Sequence, residues 1–455
     1  MSEAGTVEAK MEAKMDAPPR LDVDRLLDDP QTRIIVCCGA GGVGKTTTAA
    51  ALGVRAAERG RKVVVLTIDP ARRLAQSMGI DSLDNTPRRV KDVQGAAGGE
   101  LHAMMLDMKR TFDEIVEGHS DPERAEAILA NPFYQSLSAG FAGTQEYMAM
   151  EKLGQLRARD DWDLIVVDTP PSRSALDFLD APGRLGSFLD GKFIRVLMAP
   201  AKVGGRAGMK FLNVGMSMMT GTLSKLMGAS LLKDVQTFVA AMDTMFGGFR
   251  TRADATFQLL QAPGTAFLVV SAPEPDALRE AAYFVERLAA ERMPLAGLVL
   301  NRVHGSGAEQ LSAERALAAA ENLEEGRIVD QESGKAGLRD STDPGSASAS
   351  DSDTAPRTAR ETGTDAVDVD QDVAVEADAH AGADADVDVI TAGLLRLHAE
   401  RMQVIAREQR TRDRFTSLHP EVAVAEVAAL PGDVHDLAGL RAIGERLAAG
   451  VPAGA

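Results

Sequence analysis

Residues 34–69, IIVCCGAGGVGKTTTAAALGVRAAERGRKVVVLTID, decide the fold. Five apolar residues read as a buried strand, a glycine-rich turn follows, a Thr- and Ala-rich segment reads as a helix, and KVVVLTID returns as a second strand. This is a βαβ unit. Within it, GAGGVGKT (39–46) fits GxxxxGK[ST] in the required context, a strand before and a helix after. Gly39, Gly41, Gly42 and Gly44 let the backbone curl so that its N–H groups face phosphate oxygens, and the helix adds the positive end of its dipole. Every residue from Gly39 through Thr47, Ala40 and Val43 included, is therefore expected to line a nucleotide. Lys45 is expected at the β and γ phosphates and Thr46 on Mg²⁺.

Working outward, short apolar runs recur at 101–107, 163–168, 266–271, 295–301 and 422–427. Near-continuous Val, Leu and Ile runs of this kind predict a doubly wound, mostly parallel α/β sheet with helices on both faces. The segments 108–160 and 172–262 are helical in character and too long for simple crossovers, which predicts a helical subdomain over 108–262, interrupted by the strand at 163–168. Residues 1–30, with Pro18, Pro19 and a repeated EAKM, are expected to form a mobile arm, and 31–449 the nucleotide-binding domain. The tract 328–390 alternates small with acidic residues and is expected to be a disordered, solvated insertion.

The net charge of −17 argues against nucleic acid as a partner, since phosphate backbones select clustered Lys and Arg. Much of that charge sits between Asp340 and Asp388, where fourteen acidic residues face only Arg357 and Arg360. Aromatics make up 4% of the chain, too few for a surface of stacked rings. Cys37 and Cys38 are adjacent on a strand and so point to opposite faces, which excludes a metal pair and fits a reducing compartment. The seven histidines are scattered without metal spacing. No signal peptide or membrane-length apolar run is present in the sequence, so a cytoplasmic protein, peripheral to a membrane at most, is expected.

Two strand-end carboxylates add chemistry. DLIVVDTPP ends a strand with Asp168 at the sheet edge, where it would hold Mg²⁺ together with Thr46. A capping aspartate explains the same residue in isolation, but not its pairing with the loop. TIDPARRL places Asp69 at the end of the second strand, where it would orient the attacking water, with Arg72 and Arg73 near phosphate charge. Ordinary Asp-Pro turn chemistry accounts for Asp69 equally well on the residues alone.

Taken in order, GAGGVGKTT, TIDPARRLAQSMG, VVDTPPS, LVLNRV and ALPGDVHDLAGL resemble the anion-transporting ATPase family, which includes the arsenical-pump ATPase and the ATPase that targets tail-anchored membrane proteins. The resemblance implies ATP as substrate, Mg²⁺ as cofactor, nucleotides held at a subunit interface, and a helical subdomain that moves with nucleotide state. It also implies that Asp69 is the water-activating residue and that Asn301 with Pro431, Asp433 and Val434 contact adenine. The implied activity is ATP hydrolysis driving a membrane-protein partner or a hydrophobic client.

The family's usual loop reads GKGGVGKT, with a lysine that reaches the partner subunit's nucleotide; here that position is Ala40. Arg72, Arg73 and Arg173 are candidate replacements. Otherwise the chain hydrolyses slowly, as a nucleotide-gated subunit, or assembles as a homodimer with altered activation or as a heterodimer with a related ATPase that keeps the lysine. Cys37 and Cys38 match none of the family's metal-binding cysteines, so no zinc or metalloid site carries over. Eight methionines between Phe193 and Phe249 are read as helical core, with an adaptable client groove as the alternative.

Overall fold

The computed structural model describes residues 19–68, 73–93, 98–138, 144–170, 251–336 and 372–449. It begins with helix α1 (Val23–Asp28), whose N-cap Asp22 accepts a hydrogen bond from the Arg25 amide. For residues 19–30 this corrects the expected mobile arm. Leu21, Val23 and Leu27 are buried, and Asp24 takes two charge-assisted bonds from Arg55 at 2.6 and 2.7 Å. The LDVDRLLD segment is polar in bulk, yet its apolar residues fall on one side of a short helix, and average polarity hides that pattern. Residues 1–18 lie outside the described residues.

The elements then follow as β1 (Ile34–Cys38), α2 (Lys45–Glu58), β2 (Lys62–Thr67), α3 (Arg73–Ser77), β3 (Arg88–Arg89), β4 (Glu100–Met105), α4 (Met108–His119), α5 (Pro122–Leu129), α6 (Pro132–Ser138), α7 (Thr144–Arg159), β5 (Leu164–Asp168), β6 (Thr265–Ser271), α8 (Pro275–Ala290), β7 (Leu295–Val303), α9 (Ala313–Ala336), α10 (Asp372–Leu418), β8 (Val424–Ala428) and α11 (Leu437–Ala449). Among the described residues the strands form one eight-stranded sheet, ordered β3-β4-β2-β5-β1-β6-β7-β8. Every pairing is parallel except that of β3 with β4. The sheet is the doubly wound α/β architecture expected from the sequence. Only β3 went unforeseen: two exposed arginines carry no apolar signal.

Alternation along each strand builds two cores. Ile34, Val36 and Cys38 of β1 join Val64, Leu66, Ile165, Val167, Phe267 and Val269 on one face, under α4, α7 and α8. Ile35 and Cys37 join Val63, Val65, Leu164, Val166, Leu268 and Val270 on the other, under α2 and α11. The two cysteines are thus free, buried and on opposite faces. Helix α2 lies close to the sheet because its inner residues are small: Ala49, Ala50 and Ala57 are fully buried, and a Cβ on Gly53 would come within 2.5 Å of Val65 Cγ2. That approach brings the helix N-terminus over the end of β1.

Helices α4 to α7 occupy the segment expected to be helical, and Phe112, Ile115, Tyr134 and Tyr147 bury into the first core alongside the strands. Arg252, in a helical stretch over 251–261, donates to the buried Glu151 of α7 at 2.9 Å. The rest of the expected helical subdomain, including the methionines between 193 and 249, lies outside the described residues.

By internal contacts the chain divides into two units, one running through Gly305 and resuming at Glu408, the other spanning Ser306–Arg407. The second unit contains α9 and most of α10. Both helices run into the tract expected to be disordered, α9 from one side as far as Ala336 and α10 from Asp372. The difference has a physical basis: the small residues of this tract are largely alanine, the strongest helix former, and low hydrophobicity does not exclude a helix. Residues 337–371 lie outside the described residues.

Candidate functional site

Because the strands run parallel, the C-terminal ends of β1, β5, β6, β7 and β8 meet at one edge. The loop 39–44 leaves β1 at that edge and turns directly into α2. Its conformation needs glycine at defined points. Gly39 has φ +146° and a Cβ there would sit 2.0 Å from the Val270 carbonyl oxygen; Gly42 and Gly44 have φ +76° and +96°. Gly44 also serves as the N-cap of α2, where a side chain would collide with Asn301 Nδ2 at 2.3 Å.

Lys45 and Thr46 open the helix and face inward from it. The Lys45 ammonium is buried and donates to the carbonyl oxygens of Gly39 and Ala40 at 3.0 and 2.7 Å, spanning the mouth of the loop. Thr46 Oγ1 donates to Asp168 Oδ2 at 2.7 Å, and Thr67 Oγ1, at the end of β2, donates to the same oxygen at 2.9 Å. Asp168 is fully buried at the end of β5. Next to it, Thr169 donates from both its amide and its hydroxyl to the Cys37 carbonyl oxygen, at 3.2 and 2.9 Å, tying β5 to β1. Burial, with the Asp168 charge adding to it, holds the Cys37 thiol well above its ordinary range, and burial raises Cys38 to about 12. Neither thiol is a nucleophile here.

The structure therefore brings together the loop 39–47, Asp168 and Asn301. The Asn301 side chain is buried, donates to the Val43 carbonyl oxygen at 2.8 Å and accepts from the Arg302 amide at 3.0 Å. It braces the loop as well as standing beside it. Arg302, forced to φ +62°, marks the irregularity in the β7–β8 register that turns Asn301 toward the loop. Pro431, Asp433 and Val434 follow β8 at the same edge; Pro431 and Asp433 are exposed, while Val434 packs on the second core. Asp69, Arg72 and Arg173 lie outside the described residues, and of Arg73 only its place at the start of α3 is described.

Two contributors carry weaker sequence signals. Thr67 looks like one more β-former in KVVVLTID, and only its register opposite Asp168 shows its task. Gln145 donates to the Ile68 carbonyl oxygen at 2.9 Å from the start of α7, anchoring the end of β2 just before Asp69.

The oxygens gathered by Thr46 and Asp168 suit a hard divalent cation: one hydroxyl and one buried carboxylate within hydrogen-bond distance, with no thiol or imidazole among them. No group of three or more His, Cys, Asp or Glu side chains positioned for a metal occurs among the described residues.

Comparison with known proteins agrees with this geometry. The family model for anion-transporting ATPases matches residues 32–328. An ATPase GET3 from Malassezia globosa is 32% identical over 168 residues, covering 37% of this chain and 47% of that protein. An ATPase GET3 from Podospora anserina is 26% identical over 300 residues, covering 64% of this chain and 80% of that protein. A putative arsenical pump-driving ATPase from Halobacterium salinarum is 29% identical over 218 residues, 44% of this chain and 32% of that protein.

Proposed function

This chain belongs to the anion-transporting ATPase family, and we propose that it is a Mg²⁺-dependent ATPase whose nucleotide cycle acts on a separate partner. The observation that carries the reading is the triad of contacts at the loop: Lys45 across its mouth, and Thr46 paired to the buried Asp168. Loop amides and the α2 dipole receive the phosphates of ATP. The Lys45 ammonium exchanges the Gly39 and Ala40 carbonyls for β and γ oxygens, at little cost, because one set of hydrogen-bond acceptors replaces another. Thr46 and Asp168 hold Mg²⁺, which neutralises charge building on the phosphates when bound. Water attacks the γ-phosphorus in line, the bond to the bridging oxygen breaks, and ADP and phosphate leave. Asp69 orients that water and accepts its proton, a role that rests on the family resemblance. Asn301, with Pro431, Asp433 and Val434, surrounds the base.

Phosphate release from the purified chain tests this. Lys45→Ala is expected to cut turnover about a hundredfold or more, and Asp69→Asn to leave binding while stopping hydrolysis. Unchanged turnover in both would refute the reading.

Ala40 favours a second arrangement beside the first. It is buried in the apolar core that also holds Val43 and Val270, where the family carries a lysine. The trans charge then comes from Arg72, Arg73 or Arg173, or from a related ATPase in a heterodimer, or the chain serves as a slow, nucleotide-gated subunit. Ala40→Lys tests these: faster turnover in the variant points to a missing charge, and unchanged turnover points to one supplied elsewhere. No helix among the described residues is long and apolar enough to cross a membrane.

A further inference from the structure

Among the described residues, Asp92, Asp160, Arg292 and Arg302 adopt left-handed backbone without being glycine. Asp160 and Arg292 stand just past the ends of α7 and α8, and Asp92 sits in a turn, where such angles are ordinary. Of the four, only Arg302 lies inside a strand. It occupies the point where β7 shifts register against β8, with φ +62°. Glycine or asparagine would take that angle with less strain, so an arginine there calls for a reason in its side chain. Its backbone is committed, the amide donating to Asn301 Oδ1 at 3.0 Å, but the residue is exposed and its guanidinium has no hydrogen bond or ion pair among the described residues. Asn301 and Val303 on either side are buried. Bulges of this kind re-aim a side chain beside a site.

We propose that Arg302 is a substrate-binding residue whose guanidinium packs flat against the nucleobase, an inference that rests on the ATPase reading and adds a residue to it. The direction of the nucleotide follows from the strand order. Thr46 and Asp168, the Mg²⁺ pair, place the terminal phosphates on the β5 side of β1, so the nucleoside extends to the other side, over β6 toward β7. Strand β7 stands two strands from β1, about 10 Å away, which puts Arg302 beyond the phosphates and beside Asn301. The base lacks an aromatic partner there: loop 39–47, Asp168, Asn301 and residues 429–436 contain no Phe, Tyr or Trp. A planar guanidinium supplies the missing flat surface, since it stacks on π faces. The Asn301 amide is already engaged, donating to the Val43 carbonyl oxygen and accepting from the Arg302 amide, and so is held edge-on as a brace.

Arg302→Asn and Arg302→Gly in the full chain test this, because both residues accept the left-handed angle and leave the register shift intact. Calorimetric titration with ATP, ADP and inorganic triphosphate, each with Mg²⁺, is expected to show both variants binding ATP and ADP about tenfold more weakly, with triphosphate binding unchanged. The KM for ATP should rise by the same factor while kcat stays the same. Arg302→Lys keeps the charge without the plane and should recover little of the loss. Urea midpoints equal to or above that of the parent chain show that the variants are folded. Parental affinity for ATP in both the Asn and the Gly variants would overturn the proposal. So would an equal loss for triphosphate, or full recovery with lysine, either of which marks a phosphate contact. A parent chain that binds no ATP overturns the ATPase reading and this inference together, whereas a parent that binds and hydrolyses ATP alongside variants that match it overturns this inference alone.

Discussion

Asp168 is a buried carboxylate held by two hydroxyls, and the balance of costs there is lopsided. Removing one donor strands part of the charge's hydrogen bonding in a place water does not reach, which costs about 1–3 kcal/mol. Thr67→Val keeps the β-branched shape and should therefore lower the free energy of unfolding by that amount and weaken the Mg²⁺ dependence of turnover, while Thr67→Ser should restore both. Gly44→Ala tests the loop directly: left-handed backbone and the clash with Asn301 should abolish tight ATP binding in equilibrium dialysis. The paired thiols give a pH test. Both are raised in the folded protein, Cys38 from 9.0 to about 12, so the native chain keeps protons that the unfolded chain releases. Their contribution to stability is full below about pH 9 and is lost as pH climbs toward 12. Urea midpoints should fall over that window, and less steeply in Cys37→Ala with Cys38→Ala.

At the scale of elements, α1 shows what a sequence conceals. A chain shortened to begin at Pro19 should unfold like the longer one, whereas one beginning at Gln31 loses the burial of Leu21, Val23 and Leu27, about 1.5–3 kcal/mol for each side chain. Calorimetry on the two would decide. The strands and the loop were readable because a parallel sheet buries both faces, leaving long apolar runs that few other structures produce. IIVCC and KVVVLTID could scarcely be anything else. By contrast α1 has only two buried residues, Val23 and Leu27, in a polar setting, and β3 has none. The candidate site divides in the same way: GAGGVGKT is written contiguously, but Thr67 and Gln145 act through register and reach, which depend on neighbours far away in sequence. Asn301 was legible only through resemblance, and its bond to the Val43 carbonyl shows a bracing role that no motif states.

For the whole molecule, ligand binding and folding are linked through the loop. If Mg²⁺ and ATP bind only the folded chain, a hundredfold excess over Kd should stabilise it by about 2.7 kcal/mol, and the same nucleotide should do nothing for Lys45→Ala. The acidic balance of the chain predicts no retention on immobilised DNA at physiological salt. Finally, the β7–β8 pairing and the packing of α11 against α2 have a temporal side. The residues that complete this core, Val424–Ala428 and Leu437–Ala449, leave the ribosome nearly four hundred residues after the phosphate loop itself, and at about 5–20 residues per second that is a wait of tens of seconds. During synthesis the loop exists as sequence long before α2 has its full bed, so a nascent chain halted ahead of Val424 should be open to protease at α2, and a finished one closed.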